Sequence, residues 1–250
     1  MTATLRPMKV FATVVSIFAA AAMGASAQQA QPDPNALLKG ARMAAALVNL
    51  EDGLTGNLNK DGRQTPLALF LKGKNIQFQF STQKDKWDIF HLRLDDEALN
   101  LFRIENGKTE NFPAARLMEP IAGTDVTYED LSMRFLYWPN AKIEAEENIN
   151  SFDCYKLKIE KPKSVAGRYA AVYVWVSKKY GAFIKVAGYE ASGKLVKEFQ
   201  VRDVMPINDK TWGLKKMEVA TYDSTGKTKA SITNLIFDNP RKAPKPAGLR

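Results

Sequence analysis

From residue 54 onward, apolar and polar positions alternate in short runs separated by polar, often Gly-bearing turns. The runs LTGNLN (54–59), PLALFLK (66–72), NIQFQFS (75–81), DIFHLRL (88–94) and ALNLFRI (98–104) come in quick succession. Successive strand side chains point to opposite faces, so Ile76, Phe78 and Phe80 share one face and Gln77 and Gln79 the other. Short turns between such runs predict an antiparallel meander. A second series follows: KIEAEENI, FDCYKLKIEK, AAVYVWVSK, AFIKVAGYEA, LVKEFQVRDV, WGLKKMEVATYD and ASITNLIFDN. Its turns, SKKYG, ASGK and DSTGK, are short and contain Gly. The pattern predicts about eleven or twelve strands in all.

Two stretches break the period of two. Ahead of the strands, Leu37, Leu38, Ala41, Ala44, Ala45 and Val48 fall at helical spacing, with Asn35 as N-cap and Gly53 closing the segment. Between the two series stands GTDVTYEDL (123–131), preceded by PAARLMEP. Thr127 caps a predicted helix whose third residue is Asp130, and Glu129 and Asp130 suit the positive helix N-terminus. Tyr128, Leu131 and Phe135 then share one face, and Trp138-Pro139 stops the helix.

A sheet this wide cannot stay flat. Strands twist by roughly 20–25° each, so the sheet must curl or close, leaving a concave apolar face. Helix 35–49 and the insert at 114–137 are the segments able to cover it. Two readings of the insert stand, a plug for one end or a lid that moves. The expected fold is mainly β: a strongly curved antiparallel sheet, an incomplete barrel, covered by a few helices. No linker composition appears between Leu54 and Asn239, so residues 28–240 read as one domain.

The chain ends set the compartment. Arg6 and Lys9 precede an apolar run over residues 10–23, and Ala25-Ser26-Ala27 supplies a small-x-small cleavage pattern. Residues 1–27 therefore read as a signal peptide, leaving an exported protein of 223 residues. Cys154 is the only cysteine, so no intrachain disulfide forms, and within FDCYKLKIEK it reads as a small strand residue rather than a reactive thiol. The net charge is +9; removing Arg6 and Lys9 leaves +7. Four of those charges are Arg241, Lys242, Lys245 and Arg250 in RKAPKPAGLR, a flexible basic tail over residues 241–250. A body near +3 and the lack of nucleic-acid motifs argue against a nucleic-acid partner.

Catalysis finds little support. His91 is the only histidine and alternates with Phe90 and Leu92, which places it on the opposite, solvated face. No metal-ligand spacing, nucleophile elbow or phosphate-binding loop is present, so no metal or cofactor is expected.

GTDVTYEDL resembles the G-[ST]-D-[FV]-[ST]-Y-[ED]-D-[LM] signature of the bacterial outer-membrane lipoprotein-sorting protein family, which has the LolA-like fold. The strand from Tyr169 through Trp175 to a W-V-[DS]-K ending, the turn Tyr189 to Leu195, Lys216–Val219 and the closing strand to Phe237 follow in that family's order. Ser177 stands where the family usually has Asp. The resemblance covers roughly residues 65–240 and implies a bent, incomplete barrel with an apolar cavity under helices. It implies a soluble periplasmic carrier, a monomer, whose partners are lipoproteins or acyl lipids and components of membrane transport or reception. The alternative is an envelope sensor or scaffold that binds a protein partner with the same fold.

A carrier must hide acyl chains, whose exposure costs ~0.8 kcal/mol per CH₂, on the order of 10 kcal/mol for one long chain. The inward alternations nominate Phe78, Phe80, Phe90 and Leu92 from the first series as cavity lining. Leu157, Trp175, Phe199 and Met217 join them from the second, with Tyr128, Leu131 and Phe135 facing them from the cover. Each residue taken singly reads as ordinary core, so the expectation concerns the set.

Overall fold

The structure, a computed structural model, describes residues 31–46, 50–83, 86–95, 98–209 and 211–240. The expected signal peptide and basic tail lie outside the described residues. The first meander comprises β1 (Leu50–Lys60), β2 (Arg63–Lys72), β3 (Asn75–Gln83), β4 (Lys86–Leu94), β5 (Leu99–Glu105) and β6 (Lys108–Asn111). The second comprises β7 (Lys142–Ile149), β8 (Phe152–Glu160), β9 (Ala171–Ser177), β10 (Phe183–Tyr189), β11 (Leu195–Pro206), β12 (Trp212–Tyr222) and β13 (Lys229–Phe237). β6, with the sequence KTEN and four exposed side chains, carries no apolar alternation and is absent from the sequence reading.

All thirteen strands form one curved, open antiparallel sheet, ordered β6-β5-β4-β3-β2-β1-β13-β12-β11-β10-β9-β8-β7. The two meanders join where β1 pairs β13, with Leu58 opposite Leu235. The outermost strands are therefore β6 and β7, which the chain visits consecutively. Residues 112–141 must travel from one edge of the sheet to the other, and this is why the strand pattern is interrupted there.

The connections sort the molecule into two ends. At the first end lie the β1–β2, β3–β4, β5–β6, β8–β9, β10–β11 and β12–β13 links. At the second lie the β2–β3, β4–β5, β7–β8, β9–β10 and β11–β12 turns. Inner-face residues such as Leu58, Phe80, Leu157, Val174 and Phe199 belong to one buried cluster. Burying each such side chain contributes about 1.5–3 kcal/mol.

The first helix, α1 (Pro34–Ala46), starts one residue earlier than its spacing predicts. The Asp33 carboxylate accepts the Asn35 N–H at 3.0 Å, so Asp33 is the cap and Pro34 takes the first helical position, where its missing donor costs nothing. Asn35 instead accepts the Ala141 N–H at 3.3 Å, tying the helix to the end of the insert. Gly53 does not close the helix. It sits in β1 with φ +79°, where the pairing with β2 shifts register.

The insert consists of 3-10 turns at Ala114–Met118 and Ile121–Gly123, the helix α2 (Tyr128–Ser132), and a 3-10 turn at Arg134–Tyr137. One helix running to Trp138 was expected. Met133 adopts a left-handed conformation (φ 44°, ψ 32°) and breaks it, so Tyr128 and Phe135 reach the core from separate turns.

Candidate functional site

Thr127 and Asp130 form a reciprocal capping box: the Thr127 hydroxyl accepts the Asp130 N–H at 3.2 Å, and the Asp130 carboxylate accepts the Thr127 N–H at 2.9 Å. Asp130 does more than cap. Its carboxylate meets the Lys197 ammonium of β11 at 2.5 Å and accepts the Tyr169 hydroxyl at 2.6 Å. Tyr169 reaches it by lying flat against Gly188, where any Cβ would come within 2.4 Å of the ring.

Neighbouring positions of the motif are tied in the same way. Lys197 also donates to the Asp125 carbonyl at 2.6 Å. The Asp125 carboxylate accepts from Thr233 at 2.8 Å, from Ser231, and from Lys60 at 3.3 Å. Burial pushes the Asp125 carboxyl up, but the hydrogen bonds from Ser231, Thr233 and Lys60 outweigh it and hold it below its ordinary value. Glu129 pairs with Arg134 at 2.8 Å and accepts the Arg168 N–H at 3.2 Å. Tyr128 donates to Asp88, which also receives Arg116 at 3.4 Å. Burial, then Asp88, pushes the Tyr128 phenol upward, so it stays a donor.

GTDVTYEDL is thus a clamp. It fastens the insert to β1, β4, β11 and β13 at the first end through buried charges. Removing one partner of a buried pair costs about 3–5 kcal/mol, which supports the plug reading at this end.

Under the clamp, the structure brings together most of the expected lining. Phe80 and Phe90 are fully buried, and Leu92, Leu157, Phe199 and Met217 join them in one cluster with Tyr128 and Phe135. Phe90 packs edge-on against Phe112 at 4.8 Å and Tyr128 at 5.3 Å, so this region is filled by the protein's own rings. Phe78 and Leu131 pack on the cluster but stay half-buried, Phe78 lying parallel to Phe80 at 6.0 Å.

Trp175 does not belong to this set. In AVYVWVS the inner phase goes to Val172, Val174 and Val176, which leaves Tyr173 and Trp175 on the outer face. There Trp175 donates its indole N–H to Glu147 at 2.7 Å, and the ammonium groups of Lys156 and Lys185 lie 5.3 and 5.0 Å from its ring. The phase of this strand is opposite to the expected one: Val172, Val174 and Val176 point inward, and Trp175 is held outward by Glu147, Lys156 and Lys185.

The sequence reading missed a shelf beside Phe78. Leu69 faces Phe78 across β2 and β3, while Ile76, Leu92 and Leu101 align across β3, β4 and β5. Leu69, Ile76, Phe78, Leu99 and Leu101 all pack on the core yet remain half-buried. They line the concave face toward the second end, away from the clamp. The same alternation that revealed Phe78 applies to all of them.

The outer face carries different chemistry. Cys154 is buried there, and burial raises its thiol pKa, the opposite of what a reactive cysteine needs. His91 is half-buried against Phe102 at 5.9 Å, and that burial lowers its pKa. An open groove of about 550 Å³ near β8–β10 is lined by Lys156, Lys158, Glu144, Glu160, Tyr173 and Tyr189. Within it Lys158 pairs with Glu160 at 3.0 Å and with Glu144 at 3.9 Å, while Lys156 pairs with Glu147 at 2.9 Å. Among the described residues, no group of three or more His, Cys, Asp or Glu side chains is arranged to hold a metal, and no helix is long and apolar enough to cross a membrane.

Geometry of this kind, a wide open sheet whose edges are bridged by a helical insert, defines the LolA-like fold. A domain described as an outer membrane lipoprotein-sorting protein from Vibrio parahaemolyticus superposes with a TM-score of 0.61 at 17% identity, covering 87% of this chain and 95% of its own. A DUF1329 family protein from Desulfovibrio piger gives 0.60 at 17% identity over 88% and 96%. A LolA superfamily protein from Nitrosomonas europaea gives 0.56 at 14% identity over 86% and 96%. A family model described only as "Uncharacterized protein" matches residues 74–243, and the chain belongs to that family. No curated protein sequence matches the chain.

Proposed function

We propose that this is a non-catalytic periplasmic carrier that shelters acyl chains of lipoproteins or lipids on the concave face of its sheet. The observation that carries the reading is the half-buried shelf of Leu69, Ile76, Phe78, Leu99 and Leu101 at the end opposite the clamp. Toward one end the concave face is covered by the clamp and its buried polar pairs, and toward the other it offers apolar side chains that the protein itself leaves partly uncovered. An acyl chain laid on that shelf loses contact with water at ~0.8 kcal/mol per CH₂ without displacing Phe80 or Phe90. The outer-membrane lipoprotein-sorting description of the Vibrio domain supports the same class of cargo, as does the export signal read in residues 1–27.

Native mass spectrometry of protein taken from an envelope fraction, paired with titration of a fluorescent fatty acid, tests the reading. Acyl-bearing mass and saturable probe binding are expected. Protein that is empty and indifferent to the probe overturns it.

A further inference from the structure

The outer face of the second meander carries a hollow that acyl carriage does not use. It lies at the first end, where β8 leaves for β9 and β10 turns into β11, and encloses about 550 Å³. That size falls within the ~300–1,000 Å³ range of small-molecule sites. Ala170, Ala171, Ala191 and Gly193 line it with little or no side chain, which leaves the room. Alternation in AVYVWVS turns Tyr173 outward, and Tyr189 is its diagonal neighbour on β10, because Tyr173 pairs with Ala187 and Ala171 with Tyr189. The two rings meet edge-on at 5.2 Å, and both line the groove. Among the described residues neither hydroxyl has a protein hydrogen-bond partner, yet neither is buried, so both open onto the groove. Burial raises the Tyr189 phenol above its ordinary value and keeps it a donor.

The charged lining balances. Lys156, Lys158 and Lys161 stand against Glu144, Glu160 and Glu190, so the groove has no net charge. Each is already held. Lys156 meets Glu147 at 2.9 Å, and Lys158 meets Glu160 at 3.0 Å and Glu144 at 3.9 Å. Lys161 donates to the Val165 carbonyl at 2.7 Å, and Glu190 accepts the Ser192 hydroxyl at 2.6 Å. A charged ligand would have to break one of these pairs. A neutral one need not, because an ammonium keeps further N–H donors and a carboxylate further lone pairs. Sugars match this inventory: each hydroxyl both donates and accepts, and the C–H face of a pyranose packs on the apolar body of a tyrosine.

We propose that this groove binds a short neutral saccharide, with Tyr173 and Tyr189 donating to sugar hydroxyls and packing on a ring face while Lys156, Lys158 and Glu160 complete the polar contacts. The groove and the acyl shelf lie on opposite faces of the sheet, so the proposal stands whatever the shelf binds.

Ligand-observed NMR and calorimetric titration of the protein with cellobiose, maltotriose and diacetylchitobiose test it. Saturable binding of at least one of these sugars is expected, with the same affinity at low and high salt because the ligand is uncharged. Tyr173→Phe combined with Tyr189→Phe keeps both rings in place and lowers that affinity by about tenfold or more. The same double variant binds a fluorescent fatty acid as the unaltered protein does. Ala191→Trp, at an exposed turn position, fills the groove and abolishes sugar binding. Indifference to all three sugars, or binding that survives both the double variant and Ala191→Trp, overturns the proposal. Binding of inorganic phosphate that fades as salt rises, with no sugar bound, also overturns it and makes the groove an anion site.

Discussion

The Asp130 carboxylate and the Lys197 ammonium meet at 2.5 Å with side chains only 1% and 3% exposed. One belongs to the insert and the other to the middle of the sheet. Their union converts a local helix cap into a tertiary fastening. Lys197→Met leaves Asp130 charged and buried beside Tyr169, so chemical denaturation is expected to register a loss of about 3–5 kcal/mol. Combining it with Asp130→Asn, which removes the orphaned charge, is expected to recover part of that loss rather than add to it.

Acid acts on the same clamp through Asp125. Its carboxyl titrates below the ordinary 3.8 in the folded protein, so the unfolded chain binds the proton more readily. The stabilisation is fully present above that value and disappears as pH falls through the folded one. In Asp125→Asn, urea midpoints measured across the acid range are expected to fall less steeply than in the unaltered protein. Parallel curves rule out this contribution.

Tyr169 depends on the bare backbone of Gly188. A methyl group there would lie 2.4 Å from the ring, so Gly188→Ala must displace the phenol from Asp130. Thermal unfolding is expected to show a destabilisation of about 1–3 kcal/mol, and in a Tyr169→Phe background the cost of Gly188→Ala should shrink by the share due to the lost hydrogen bond, leaving the overpacking of the ring.

The two faces of the sheet make opposite predictions for cargo. Phe78→Asp places a charge on the shelf and is expected to weaken fatty-acid probe binding by about tenfold or more. Trp175→Ala removes an outward ring held by Glu147, Lys156 and Lys185 and is expected to leave probe affinity unchanged. Equal effects of the two variants would falsify the assignment of the shelf.

The sequence made the meanders legible because alternation survives wherever one sheet face is buried. Thr127 and Asp130 announced their cap because both partners are local. β6 was invisible for the complementary reason: KTEN buries nothing, so its pairing with β5 leaves no apolar trace. The Asp130–Lys197 and Asp125–Thr233 links join residues remote in the chain, and an isolated lysine in LVKEFQVRDV looks like any solvated strand residue. Trp175 shows the limit of period-two reasoning. Alternation divides AVYVWVS into two faces but does not say which is inward, and outer-face lysines and Glu147 decided the matter. Asp33 was overlooked as a cap because the apolar stripe begins later than the helix.

The seam between β1 and β13 also governs how the molecule can be assembled. Leu58 finds its neighbour Leu235 only after nearly the entire polypeptide is available, and long-range pairing of this sort slows folding. A ribosome-bound or prematurely terminated chain lacking its last strand would expose raw hydrogen-bonding edges on both β1 and β12, a template for aggregation.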